Sequence, residues 1–138
     1  MPSLRNYNLF ISHAWEYNAD YYRVEDWLNE TANFYWTNLS VPEHDPIPTT
    51  AKLKAELHNQ MRRAHVFLIL GGMYIPHREW IQYEINFARR IGLPILGIRP
   101  RGSIAMPVAL QRGADEIVGW NSSSIVASIR RLALPDNG

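Results

Sequence analysis

The run Val66-Phe67-Leu68-Ile69-Leu70 contains no polar side chain and leads directly into Gly71-Gly72. Five apolar residues without alternation are typical of a strand that is buried on both faces, as in the centre of a parallel sheet. Helical periodicity follows from Glu79 to Ile91 and stops at Gly92, a residue type that commonly follows the last turn of a helix. A buried strand followed by an amphipathic helix predicts an α/β protein with a parallel sheet.

The same alternation of strand and helix continues on both sides of this run. Further strands are predicted at 9–11, 38–41, 94–98 and 116–118, and further helices at 20–34, 50–64 and 122–132. The proline-rich segment 42–48 is predicted to be a loop, and residues 99–113 are predicted to be weakly structured. Five such units predict a three-layer, flavodoxin-like fold with strand order 2-1-3-4-5 and helices on both faces.

Length and composition narrow the class of protein. The 138 residues suit one domain spanning 1–138, with 46% hydrophobic and 20% charged residues and a net charge of +1. Basic residues are mixed with acidic ones, so a nucleic-acid partner is not expected. Without cysteine, and with five histidines that lack metal-ligand spacing, no metal site is expected either. No signal peptide or membrane span is visible, and the chain is expected to be cytoplasmic.

Glu84 is the most informative polar residue of the chain. It lies three residues after Ile81 and four after Trp80, so it shares their side of the predicted helix. A carboxylate within an apolar stripe must find partners or open onto a cavity, because burying it alone is costly. Periodicity leaves two interpretations open: a functional acid, or a Glu at the edge of the stripe that pairs with an Arg such as Arg78 or Arg89.

Polar and small residues lie where strands one and three are predicted to end. Ligands of such sheets bind beyond the carboxyl ends of the strands, where the strand order reverses. Ser12 and His13 are adjacent and point to opposite faces of a strand, so they cannot form a nucleophile dyad. Asp20 could contact a ligand or cap the first helix, and Gly71 could allow a close approach to a ligand or simply form a turn.

Two sequence boxes resemble those of TIR domains. Leu9-Phe10-Ile11-Ser12-His13 resembles the first-strand box, and the segment from Leu70 to Glu84 resembles the third-strand region that ends in Trp-x-x-x-Glu. The loop 42–48 lies where TIR domains carry their BB loop. The form Arg-x-Trp-Ile-x-Tyr-Glu-Ile at 78–85 is more similar to the bacterial branch that includes the ThsB proteins of Thoeris anti-phage systems.

The resemblance implies an enzyme that cleaves the nicotinamide–ribose bond of NAD⁺, acting as an NAD⁺ nucleosidase, ADP-ribosyl cyclase or transferase. It implies that Glu84 is the catalytic carboxylate and that NAD⁺ is a substrate rather than a cofactor. The product would be an ADP-ribose-derived signal nucleotide that activates an effector of the ThsA kind, and self-association and a phage-derived trigger are also implied. The implied substrate-binding residues are Phe10, Ile11, Ser12, His13, Asp20, Asp45, Gly71, Trp80 and Tyr83.

The chain also departs from the TIR pattern. Gly71 stands where many TIR domains have Ser, and Pro-Glu-His-Asp-Pro-Ile-Pro at 42–48 replaces the usual Arg-Asp-x-x-Pro-Gly motif. The altered loop keeps open a second hypothesis, a non-catalytic TIR interaction module. A third is a nucleoside transferase or nucleotide-binding relative with the same sheet, because fold alone does not decide function.

Overall fold

A computed structural model describes residues 5–12, 19–40, 50–73, 78–102 and 105–135 of the chain. The strands are β1 (Asn6–Ser12), β2 (Tyr35–Asn38), β3 (Val66–Leu70), β4 (Ile95–Ile98) and β5 (Glu116–Val118). The helices are α1 (Ala19–Glu30), α2 (Thr50–Arg63), α3 (Arg78–Ile91), α4 (Val108–Gly113) and α5 (Ser122–Leu132). A short 3₁₀ turn, Gly71–Met73, follows β3.

The five strands form one parallel sheet in the order β2-β1-β3-β4-β5. The order reverses between β1 and β3, as predicted for a flavodoxin-like fold. All five residues of β3 are buried, because β1 and β4 flank the strand and helices cover both of its faces. The central apolar run is therefore the middle of the hydrophobic core.

The helices lie in two layers. Crossovers between parallel strands are almost always right-handed, and on either side of the reversal this rule places α1 and α3 on opposite faces of the sheet. In agreement with this, α1 contacts α5, and α2 contacts α3. Helices in these crossovers run antiparallel to the strands, so α2 and α3 begin at the edge where the parallel strands end.

The second strand was predicted at 38–41, but β2 lies three residues earlier, at Tyr35–Asn38. The first helix ends at Glu30 rather than continuing to Phe34, and the Thr31 hydroxyl donates to the carbonyl of Trp27 at 2.7 Å. Asn33 then adopts a φ of 57°, a left-handed conformation that Asn tolerates better than most residues. This turn places Phe34 in the core and starts β2 at Tyr35.

The segment 99–113, predicted to be weakly structured, contains the helix α4. Only six residues long, α4 starts directly after Pro107, so it is too short to produce a clear period in the sequence. Leu110 and Met106 anchor the segment, because both side chains are buried. Among the described residues, no helix is long and apolar enough to cross a membrane.

Candidate active site

Glu84 is buried on the inner face of α3, with 2% of its surface exposed. Its neighbours on that face are Ile81, Ile85 and Ala88, all of which belong to the core. The helix is well defined at both ends: Glu79 lies in its first turn, and Gly92 follows its last turn with a φ of 75°. The packing of an otherwise apolar helix face therefore holds one carboxyl group inside the molecule.

Two side chains bind the Glu84 carboxyl group. The Ser12 hydroxyl, at the end of β1, donates to Oε1 of Glu84 at 2.5 Å, and Ser12 is itself 1% exposed. Trp80, one helical turn before Glu84, forms a second side-chain hydrogen bond to the carboxyl group. The alternative in which Arg78 or Arg89 pairs with Glu84 is wrong, because both arginines are exposed while Glu84 faces the sheet.

Burial raises the pKa of Glu84 from an ordinary value of 4.5 to about 8. The hydrogen bonds from Ser12 and Trp80 lower the pKa, but by less than burial raises it. At neutral pH the carboxyl group is therefore mostly protonated. A group with such a pKa can donate a proton or, once ionised, stabilise a positive charge beside it.

The site lies at the sheet edge where ligands of this architecture bind. Ser12 is the last residue of β1 and pairs in register with Ile69 of β3, so it lies at the reversal of strand order. Residues 10–104, well over half of the 138 residues, match the family model of the Thoeris protein ThsB, TIR-like domain. The chain belongs to the ThsB TIR-like family. Ser12, Trp80 and Glu84 all lie within the matched part of this ThsB-like chain.

Solved structures support the fold of the ThsB-like domain. One of them is the structure of Clostridium botulinum CMP N-glycosidase, BcmB, with a TM-score of 0.57 and 14% sequence identity. The match covers 90% of the ThsB-like chain and 98% of the BcmB chain. A comparison with curated proteins gave no match.

The structure places Phe10 with Ser12 and places Ile11 on the other face of the sheet. Side chains alternate along a strand, so Phe10 and Ser12 share the face that α3 covers. The Phe10 ring packs edge-on against Phe67 at 5.6 Å between centroids. Ile11 is fully buried on the opposite face, away from the Glu84 carboxyl group.

Tyr83 lies beside Trp80 on α3, with ring centroids 5.5 Å apart and an interplanar angle of 26°. Its hydroxyl is 2.8 Å from Nε2 of His58 on α2. Sequence reasoning missed His58, because periodicity gave its position on α2 but not the side chain that it meets.

Asp20 lies near the same sheet edge but in a separate contact. Its Oδ1 is 2.8 Å from Nη2 of Arg101, which follows β4, and its Oδ2 lies close to Gly72. Asp20 therefore joins the start of α1 to the loop after β4. Its proposed substrate contact stays a prediction. His13 and Asp45, two further substrate-binding predictions, lie outside the described residues.

Gly71 has a packing role of its own. A Cβ at this position would lie 2.7 Å from Sδ of Met106 and 3.0 Å from both the Ile98 carbonyl oxygen and Cδ of Pro100. The Ser that many TIR domains carry at this position would therefore require Met106, the backbone at Ile98 and Pro100 to shift. The residues packed around Gly71 thus favour glycine over the Ser of the family pattern.

Gly71→Ala is expected to destabilise the fold by about 1–3 kcal/mol, because two of the three close neighbours cannot swing away as a flexible side chain can. Gly72→Ala is the matched control, since a Cβ there meets only Asp20 Oδ2 at an ordinary 3.7 Å. Urea unfolding of both variants measures the difference. Equal free energies of unfolding for the two would contradict the packing role of Gly71.

Two described cavities, of about 470 and 450 Å³, lie along α3 and α4 and share Arg89, Arg112 and Gly113 in their walls. Neither is lined by Ser12, Trp80 or Glu84. No three His, Asp or Glu side chains in the described part of the chain are grouped so as to hold a metal ion.

Proposed function

We propose that the chain is an enzyme that cleaves the nicotinamide–ribose bond of NAD⁺ in Thoeris-type anti-phage defence. The observation that carries the proposal is the buried Glu84 carboxyl group, bound by Ser12 and Trp80 at the ligand-binding edge of the sheet. Membership of the ThsB TIR-like family supports the role in Thoeris-type defence. The CMP N-glycosidase activity named for BcmB supports the same type of bond, one between a ribose and a base nitrogen.

The chemistry suits a single carboxyl group. As the C1′–N bond of NAD⁺ breaks, its electron pair moves to the nicotinamide nitrogen, so the leaving group departs neutral and needs no proton. Positive charge then develops at C1′ and the ring oxygen of the ribose, as in other glycosidic cleavages. An ionised Glu84 beside this ribose stabilises the developing charge in a site with little water.

Protonation of Glu84 in the free protein fits this substrate. A nicotinamide ring that carries a positive charge lowers the pKa of a nearby carboxyl group. Binding of NAD⁺ therefore releases the proton that burial holds on Glu84. The hydroxyl of Ser12, which already donates to the carboxyl group, stabilises the ionised form further.

A pyrimidine nucleotide, whose base is uncharged, is the second candidate substrate, and the raised pKa of Glu84 is the observation that favours it. A pyrimidine leaving group needs a proton, and a carboxyl group with a pKa of about 8 is protonated at neutral pH and can supply one. Sequence resemblance favours NAD⁺, and the two substrates predict opposite pH profiles.

The purified protein is expected to release nicotinamide from NAD⁺ with a kcat/KM that rises with pH and levels off above about 8, where free Glu84 is ionised. Chromatography of nicotinamide and cytosine, with NAD⁺ and CMP as parallel substrates, measures both reactions. Release of cytosine with a kcat/KM that falls above that pH would replace NAD⁺ by a nucleotide with an uncharged base. Release of neither base, with phage lysate added and at high protein concentration, would favour the interaction module.

The biological role proposed here extends this reaction. After nicotinamide has left, C1′ would bond to water, to a nucleophilic atom of the same ADP-ribose or to another acceptor, and Glu84 would take up the proton of that nucleophile. The product would accordingly be a linear, cyclic or transferred signal nucleotide, which an effector of the ThsA kind would sense. Self-association and a phage-derived trigger are part of the proposal. Mass spectrometry of lysates from infected cells identifies the product when cells that express the unaltered protein are compared with cells that express Glu84→Gln.

A further inference from the structure

A basic stripe on α2 faces an aromatic stripe on α3. The basic residues recur every four positions, and the aromatic residues recur every three or four, so each set lies on one side of its helix. The two stripes consist of Lys54, His58 and Arg62 on α2 and of Trp80, Tyr83 and Phe87 on α3.

The two stripes meet through ring stacking and cation–π contacts rather than through ion pairs. His58 stacks on Phe87 with centroids 4.0 Å apart, and the Arg62 guanidinium lies 5.3 Å from the centroid of the same ring. Nζ of Lys54 lies 4.6 Å from the centroid of the Tyr83 ring. The rings of α3 hold the cations of α2 in place without neutralising them.

Lys54 leaves its positive charge uncompensated within the described part of the chain. No described carboxylate lies within salt-bridge distance of its ammonium group. The pKa of His58 is lowered, first by burial and then by the charges of Arg62, Arg90 and Lys54. The side chains around His58 thus produce a positive field, which attracts anions.

Lys54 lies at the same edge of the sheet as the Glu84 site. Lys54 lies in the second turn of α2, and Tyr83 and Trp80 lie in the first two turns of α3, so all three are near the ends of β1 and β3. Tyr83 stacks on Trp80, and Trp80 binds the Glu84 carboxyl group. A chain of contacts through two aromatic rings, Tyr83 and Trp80, therefore links the ammonium group to the residue that we assign to the ribose.

We propose that Lys54 binds the phosphate on the 5′ oxygen of the ribose that Glu84 contacts, and so makes the site selective for nucleotides over nucleosides. The inference rests on the proposed function for the place of the ribose. It adds the residue that recognises the 5′-phosphate or 5′-pyrophosphate of the substrate, which would be held between an ammonium group and a carboxyl group. His58 stays neutral in this arrangement and supports Tyr83 through their 2.8 Å hydrogen bond.

Nicotinamide mononucleotide and nicotinamide riboside test the proposal, because they differ by one phosphate and share the bond that breaks. The unaltered protein is expected to cleave the mononucleotide with the higher kcat/KM. Lys54→Met keeps the stem of the side chain and is expected to lower kcat/KM for the mononucleotide by about ten- to a hundredfold, as for a lost charge-assisted hydrogen bond. Cleavage of the riboside is expected to change less than twofold.

Arg63→Met is the matched control, since Arg63 is exposed on the same helix and outside the stripe. It is expected to leave the preference for the mononucleotide unchanged, and Lys54→Arg is expected to keep most of it. Equal losses on both substrates in Lys54→Met would overturn the phosphate role and indicate a structural one. Thermal unfolding of each variant confirms that it is folded.

Failure of the proposed function gives a different result. If the unaltered protein releases nicotinamide from neither compound, calorimetric titration with the same pair measures binding directly. Tighter binding of the mononucleotide, lost in Lys54→Met, supports the phosphate site without catalysis. Equal affinities of the unaltered protein for the two compounds sink the proposal.

Discussion

Glu84→Gln is expected to lower nicotinamide release from NAD⁺ by a hundredfold to a thousandfold or more, the range seen when one preorganised stabilising group is removed from an active site. Gln keeps the size of the side chain and can still accept the hydrogen bond from Ser12. It cannot carry the negative charge that stabilises a ribosyl cation. The loss is expected in kcat/KM, because the ionised carboxylate interacts with the charged nicotinamide on binding and with the ribosyl cation as the bond breaks.

Glu79→Gln is the control for this experiment, because it removes an exposed carboxyl group one and a half turns earlier on the same helix. Its rate of nicotinamide release is expected to match that of the unaltered protein. If Glu84→Gln and the unaltered protein released nicotinamide equally fast, Glu84 would be excluded as the catalytic residue. Circular dichroism of both variants verifies that α3 is intact.

Glu84→Gln, which is expected to lower activity, is expected to raise the free energy of unfolding at high pH. A carboxyl group whose pKa is about 8 when folded and near 4.5 when unfolded binds more protons in the folded state between these values. The unaltered protein therefore loses stability as pH rises from 4.5 to about 8, by up to about 1.4 kcal/mol per pH unit. Above that pH the loss is complete and the curve levels off.

Glu84→Gln lacks this titration, so above pH 8 it is expected to be more stable than the unaltered protein by several kcal/mol. Urea unfolding of both proteins across the pH range gives the difference, in which contributions from the other titrating groups cancel. Parallel curves for the two proteins would show that the pKa of Glu84 is not raised by folding. The two experiments together measure how much stability the fold gives up to keep an acid inside its core.

The sheet was predictable from the sequence because its signals are local and strong. The apolar run at 66–70 specifies a central strand, and Gly92, whose φ is positive, directly follows the last residue of α3. The second strand was misplaced because its position depends on the left-handed turn at Asn33, which hydrophobic periodicity does not report. Helix α4 was missed because six residues give too short a pattern.

The site was predictable only in part. Periodicity placed Glu84 among apolar neighbours, but it could not choose between a buried acid and an ion pair at the edge of the stripe. The partner Ser12 is 72 residues away, and only the meeting of β1 with α3 decides that the two side chains touch. The family resemblance implied that both residues belong to the site, and the structure brings their side chains into contact. The resemblance could not identify Lys54 or His58, whose importance comes from the helix face that they meet.

The contact between Ser12 and Glu84 also favours the native register of β1 over shifted ones. In the native register Ser12 pairs with Ile69, and a shift of one residue along β1 would turn Ile11 toward α3 and Ser12 away from it. The buried carboxyl group would then lose its hydroxyl partner and gain an isoleucine, at a cost of about 1–3 kcal/mol. Misaligned sheets are thereby disfavoured by the same pair of atoms that we assign to the reaction. A chain that has folded with β1 shifted by one residue has a less stable core and lacks the Ser12–Glu84 contact of the proposed site.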